Sequence, residues 1–220
     1  MFRTQPITHV VRALLLAGLA ALSVACTAIP TQLSGSDHEP AWQARQQRLS
    51  SLQAWNLTGR ISIQAKREGW HAGLYWAQRS TDYDINLSSP LGQDILRLHG
   101  GPDGVVMRSS DGEQRAATAD ALLYKRLGWR LPLSGLRFWA LGLPDATASA
   151  ISPQDRELDA LGRLTRLRQS GWEIEFRHYT SVAGIDLPDK IFLNNRQTGT
   201  QLEVRLAVEK WEIGTNLSTN

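Results

Sequence analysis

A single cysteine, Cys26, is all the thiol this chain carries, which excludes an internal disulfide framework and a zinc site built from cysteines. Positive charge is also scarce where it would matter. The formal net charge is +3, and two of those charges, Arg3 and Arg12, belong to an acid-free N-terminal stretch, so the remainder is close to neutral. A nucleic-acid-binding or polybasic membrane surface therefore has no support. The five histidines, at 9, 38, 71, 99 and 178, have no ligand spacing, and His178 reads as a satisfied core histidine because it continues an apolar strand face. Neither a Gly-x-Ser-x-Gly elbow nor a phosphate-cradling glycine loop occurs. Glu173 and Glu175 share one strand face, as a glycosidase pair needs, but that face is opposite Trp172, Ile174 and Phe176 and reads as a solvated edge. No catalytic residue, metal or cofactor is assigned. Phenylalanine is scarce too, at four against eight tryptophans; that balance favours broad amphipathic surfaces where indoles lie against something apolar.

What is present begins with export. Arg3 and Arg12 precede the apolar run Ala13–Ala25, which is shorter than the roughly 20 residues of a membrane-spanning helix and reads as a signal peptide over residues 1–25. Small residues ending on the lone cysteine resemble a bacterial lipobox, with lipid attached to Cys26. Leu22 lies four residues before the cysteine, where the usual pattern has leucine three before and this chain has Ser23. A triacyl anchor gives lasting membrane attachment where one chain gives only marginal binding. By resemblance to bacterial sorting rules, Thr27 in place of aspartate directs the protein to the outer membrane. Residues 26–40 then form a lipidated N-terminus and flexible tether, rich in Thr, Ser, Gly and Pro, and residues 41–220 a single domain.

Within that domain, Pro40 opens a helix to Leu52 with Trp42, Leu49 and Leu52 on one face. The period then becomes two. Trp55 to Ile63, Trp70 to Trp76 and Tyr83 to Leu87 alternate as half-buried strands. Asp94 to His99 and Val105 to Arg108 continue the pattern, and Asp111-Gly112 marks a hairpin. Thr118 is placed to cap a helix Ala119–Leu127 closed by Gly128, and Ser134 to cap a second through Leu136 and Trp139 that ends at Gly142. After a polar loop from Asp145 to Asp159, strands resume at Arg163–Arg168, Trp172–Tyr179, Asp189–Asn194 and Gln201–Val208. There is no βαβ alternation and no internal repeat. The class is α+β, an antiparallel sheet curved into an open barrel.

Ser89-Pro90-Leu91-Gly92 joins two of these strands. Proline fixes φ and Gly92 accepts φ > 0, so Leu91 sits at a tight bend where a polar turn former is the rule. Either it folds back onto its sheet or it points outward to meet something apolar.

Trp55 with Gly59-Arg60-Ile61-Ser62-Ile63, Trp70 with Leu74 and Trp76, Ser89-Pro90-Leu91-Gly92, Gly128 with Leu131-Pro132 and Leu136, and Trp139-Ala140-Leu141-Gly142-Leu143-Pro144 follow one another in the order seen in the LolB family of outer-membrane lipoprotein receptors, which the chain resembles from the lipobox almost to its C-terminus. The resemblance implies an incomplete antiparallel β-barrel, here of about ten strands, with a lid of short helices over a hydrophobic cavity. It implies a monomer, lipid-anchored on the periplasmic face of the outer membrane, that takes acylated lipoproteins from the periplasmic carrier LolA and inserts them into the membrane's inner leaflet. Its partners are then the carrier, the acyl chains of cargo and outer-membrane lipid. In that family the exposed leucine of this loop acts in delivery, and Leu91 matches it. Strand parity and helix face point Trp55, Ile61, Trp70, Trp76, Ile85, Leu122, Leu123, Leu136, Trp139 and Trp172 into the cavity. The alternative is a lipid-anchored binding module for a small apolar ligand or an envelope partner.

Overall fold

Strand alternation and helical periodicity are realised almost where the sequence places them. The computed structural model describes residues 38–65, 68–127, 131–148, 151–195 and 202–214; the signal peptide, Cys26, most of the tether and Gly128 lie outside them. Residues 37–220 form one compact unit. The first helix, α1 (Glu39–Ser50), begins two residues inside the stretch assigned to the tether, with Pro40 in its first turn. A six-strand meander follows: β1 (Ala54–Ala65), β2 (Glu68–Arg79), β3 (Asp82–Ser88), β4 (Asp94–Gly101), β5 (Gly104–Ser109) and β6 (Gly112–Ala116). Helices α2 (Ala119–Leu127) and α3 (Leu133–Ala140) interrupt it. A 3₁₀ turn at Pro153–Asp155 then leads into β7 (Arg156–Leu158), β8 (Leu164–Gln169), β9 (Trp172–Val182), β10 (Ile185–Asn195) and β11 (Leu202–Ile213).

The eleven strands of the described residues form one antiparallel sheet in the order β6-β5-β4-β3-β2-β1-β11-β10-β9-β8-β7, open between β6 and β7. The α+β class and the unclosed sheet are as expected, with two more short strands than alternation reveals. Those two, β6 and β7, are polar edge strands in which no apolar face repeats. The two meanders meet at β1 and β11, paired from Trp55 with Ile213 to Ala65 with Leu202. The register shifts between Thr58 and Gly59, and a Cβ on Gly59 would lie 2.2 Å from the Ala207 carbonyl oxygen. Only glycine admits so close a backbone.

Period-two alternation puts one face of every long strand inside. Leu57, Ile61 and Ile63 of β1, Ala72, Leu74 and Trp76 of β2, Ile174 and Phe176 of β9, Leu187, Ile191 and Leu193 of β10, and Val204 and Leu206 of β11 are all buried. His178 breaks the expectation. Its side chain is exposed, with Nδ1 2.7 Å from Asp189 Oδ1. Two compensating register shifts between β9 and β10, at Pro188/Lys190 and Lys190/Ile191, reverse the parity after Phe176. Tyr179 is turned inward instead, and its hydroxyl donates to the Leu164 carbonyl at 2.7 Å.

Helix α1 docks through Trp42 and Leu49, each 1% exposed, and burial of this kind stabilises by about 1.5–3 kcal/mol per side chain. Polar groups fix its angle. Arg156 pairs with Glu39 and lies over the Trp42 ring, while Arg45 donates to the Asp186 carbonyl. Arg163 bridges Asp159 at 2.7 Å and Asp186 at 3.0 Å. Burial alone would raise the Asp159 pKa, but hydrogen bonds from the Arg163 backbone and guanidinium and the Leu161 N–H outweigh it and hold the carboxyl below its ordinary range.

The two central helices are tied to each other and to the sheet. Thr118 caps α2, its Oγ1 accepting the Ala121 N–H at 3.3 Å. Ser134 does not cap α3, because the helix begins one residue earlier, at Leu133. Asp120 of α2 supplies the missing acceptor, 2.9 Å from the Leu133 N–H. At the other end Gly142 and Leu143 donate back to the Trp139 and Phe138 carbonyls, a Schellman closure.

Candidate functional site

The β3–β4 connection is built to display its tip. The Gly92 N–H donates to the Ser89 carbonyl at 2.9 Å and the Ser89 N–H to the Gln93 carbonyl at 2.8 Å. Gly92 takes φ +80°, so the loop is a tight turn completed by a left-handed glycine. Below it, Asn86 Nδ2 donates to Asp94 Oδ1 at 2.8 Å and Arg97 Nε to Asp94 Oδ2 at 3.0 Å, bonds that hold the Asp94 carboxyl below its ordinary range. On this polar base Leu91 is 88% exposed. It does not fold back onto its sheet.

Nine of the ten residues assigned to the cavity are buried: Trp55, Ile61, Trp76, Ile85, Leu122, Leu123, Leu136, Trp139 and Trp172. They belong to one apolar cluster, with Trp55 and Trp76 ring centroids 5.2 Å apart and Trp139 and Trp172 6.2 Å apart. Trp70 is different, at 36% exposed. Ser88 pairs with Gly73, so the start of β2 runs past the end of β3 and its inward face is left open there. The same register puts Trp70 and Leu91 at one end of the sheet.

In this conformation the helices fill the concave face, and the open space lies beside them. A pocket of about 530 Å³ separates α1 from α3, walled by Trp55, Leu49, Leu52, Gln78, Phe138 and Leu141 among others. A smaller one, about 230 Å³, lies beside Trp76 and Tyr83 under α2 and the start of α3. Burial, with Asp120 adding to it, pushes the Tyr83 phenol up to about 12. Thus Trp55 and Trp76 reach these pocket walls.

Three polar side chains that sequence reasoning did not single out lie beside these pockets or under the helices. Gln78 Oε1 accepts the Trp76 indole N–H at 3.1 Å, while its amide nitrogen donates to the Ser80 and Asp82 carbonyls. Gln169 Oε1 accepts both the Trp139 indole N–H at 3.1 Å and the Asp145 backbone N–H at 2.7 Å, and its Nε2 donates to the Asp145 carbonyl at 3.0 Å. That amide latches the exit of α3 to β8. Arg137, the third, borders both pockets. The signal for Gln78 was available in its parity with Leu74 and Trp76; nothing local marks Gln169 or Arg137.

Among the described residues no cluster of three His, Cys, Asp or Glu could hold a metal ion, and no helix is long and apolar enough to cross a membrane. Glu173 lies near Arg166 and Arg168, and Glu175 pairs with Arg177 at 2.8 Å. What the arrangement offers is an apolar concave face covered by two short helices, with a bare leucine at the rim.

Comparison with known proteins gives these features a context. Residues 53–211 match the family model described as outer membrane lipoprotein LolB. The outer-membrane lipoprotein LolB of Nitrosococcus oceani is 40% identical over 194 residues, covering 88% of this chain and 93% of the relative. That of Pseudomonas putida is 37% identical over 197 residues, covering 88% and 92%. Among solved structures, a LolA superfamily protein from Nitrosomonas europaea aligns with a TM-score of 0.46 at 7% identity, covering 79% of this chain and 94% of that one.

Proposed function

This chain belongs to the LolB family of outer-membrane lipoproteins, and from that premise we propose that it receives acylated lipoproteins from a periplasmic carrier of the LolA kind and places them in the inner leaflet of the outer membrane. Its place is the outer membrane and its role is in lipoprotein localisation rather than catalysis. In this reading residues 1–25 are removed, Cys26 carries the lipid, the tether spans the gap to α1, and the compact unit faces the periplasm as a monomer.

The handover is physical. Exposing an acyl chain to water costs about 0.8 kcal/mol per CH₂, so cargo must pass from one apolar surface to the next. The concave face is filled by Leu136, Trp139, Leu122 and Leu123 of the two helices. Cargo chains that displace these side chains exchange one apolar partner for another, which keeps the net change small and the cargo releasable. No nucleotide is needed if each acceptor holds the chains slightly more tightly than the last.

The observation that carries the reading is Leu91, bare at the tip of a hydrogen-bonded turn. Burying one leucine in lipid gives about 1.5–3 kcal/mol, too little to anchor the protein and enough to orient its rim. Trp70, at the same end, suits the membrane interface, where indoles settle. The test is Leu91→Glu in a transfer assay from loaded carrier to receptor to vesicle. The variant should accept cargo normally and stall with it bound; delivery at the unaltered rate would remove the membrane-contact role.

A further inference from the structure

Arg137 is the one feature of the interior that an acyl-chain receptor does not account for. Arg60, Arg97, Arg108 and Arg163 each face a carboxylate. Among the described residues Arg137 has neither an ion pair nor a hydrogen bond; its Nε is buried without a partner, and its guanidinium lies 4.5 Å from the Phe138 ring centroid. It opens onto the pocket between α1 and α3, whose described walls contain no acidic residue and supply neutral amides and hydroxyls beside Leu52, Trp55 and Phe138. The adjoining smaller pocket contains an acid, Asp120, and that carboxylate already accepts the Leu133 N–H.

A guanidinium at the wall of an apolar pocket, without a carboxylate partner, is complemented best by an anion, because charge-assisted hydrogen bonds are the strongest it can make. The walls are apolar below and polar around Arg137, so the complementary molecule has a hydrocarbon chain and an anionic end. The volume, about 530 Å³, lies within the range of small-molecule sites and suits one chain rather than several. We propose that this pocket is a binding site for a single-chain anionic amphiphile, with a carboxylate or phosphate head group on Arg137 and its chain along Leu52, Trp55 and Phe138. A positively charged head group is excluded by the guanidinium, and a neutral one leaves that guanidinium without a counter-charge. The proposal rests on the receptor reading only for the presence of lipid nearby. Such an occupant gives the protein an apolar filler distinct from its cargo.

The test uses the mature lipidated protein in phosphatidylcholine vesicles. Diazirine-bearing palmitate, the corresponding lysophosphatidate and the corresponding monoacylglycerol are photolysed separately, and the labelled peptides are mapped by mass spectrometry. An anionic probe should label α1 and α3. Arg137→Gln should cut that labelling about tenfold, the scale of one charge-assisted hydrogen bond. Arg137→Lys should keep most of it, and the monoacylglycerol signal should be indifferent to both changes. Palmitate ahead of lysophosphatidate assigns a carboxylate ligand, and the reverse order a phosphate one; either supports the site. Equal labelling by acid and neutral probes, or labelling untouched by Arg137→Gln, overturns it. Should Arg137→Gln lower the melting temperature, competition on the unaltered protein decides: unlabelled palmitate must displace the label better than monopalmitin, and parity overturns the site. Loss of labelling with cargo transfer intact concerns this site alone, whereas loss of transfer with normal labelling counts against the receptor reading.

Discussion

Gln169→Leu removes the latch on α3 while keeping nearly the same volume. Three hydrogen bonds disappear, from the Trp139 indole, to the Asp145 carbonyl and from the Asp145 N–H. Trp139 is fully buried, so its indole N–H finds no water and alone costs about 1–3 kcal/mol. The Asp145 backbone is only half-buried and rehydrates, adding little more than the net value of its bonds, about 0.5–1.5 kcal/mol each. The sum is a loss of about 2–6 kcal/mol. With a urea slope of about 2 kcal/mol/M, the unfolding midpoint should fall by about 1–3 M. In a Trp139→Phe background, where no indole N–H remains to be orphaned, Gln169→Leu should cost about 1 kcal/mol less. Amide exchange from Leu136 to Leu143 should accelerate in the same variant. A midpoint shift below about 0.3 M, or strict additivity of the two substitutions, would refute the claim that Gln169 holds the helix down.

Gly59→Ala should destabilise by about 2–4 kcal/mol, by thermal unfolding, because the new methyl meets the Ala207 carbonyl oxygen at 2.2 Å and the joint between the two meanders cannot widen without breaking pairs. Leu91→Glu should leave the unfolding free energy within about 0.5 kcal/mol, so that a loss of delivery in the proposed transfer assay could not be ascribed to folding. The Asp159 carboxyl has a depressed pKa in the folded state, so its contribution is fully present above the unfolded value of about 3.9 and is lost as pH falls through the folded one. Stability of the unaltered protein should therefore drop more steeply below about pH 4 than that of Asp159→Asn, the two curves converging in acid; parallel curves would show that Arg163 does not depend on this partner.

Strand existence and parity were legible because Leu57 to Ile63 and Trp172 to Phe176 bury alternate residues without interruption. What was illegible has a physical reason in each case. β6 and β7 are paired on one side only and pack little, so their residues carry no alternation. His178 was misplaced because a pair of register shifts with β10 leaves no mark on the apolar pattern. Ser134 has the chemistry of a cap, yet the acceptor came from Asp120, thirteen residues before Leu133 in sequence. Nine of the residues assigned to the inward set are buried, and Trp70 is left at an open rim. Parity says where a side chain points, and says nothing about whether helix or open space meets it there.

The order of strands has a consequence for how the chain is made. β1 is synthesised at the beginning of the domain and its partner β11 at the very end, with residue 55 beside residue 213. During export, β1 through β6 can zip into hairpins as they emerge, because each pairs with its neighbour in sequence. The outer edge of β1 must wait, bare, for the last strand to arrive. A bare edge is a template for pairing with other chains, and closing so distant a contact is slow. Truncation anywhere in the final strand should therefore yield an aggregating chain rather than a shortened domain, although Leu91 and the meander that carries it are complete long before that point.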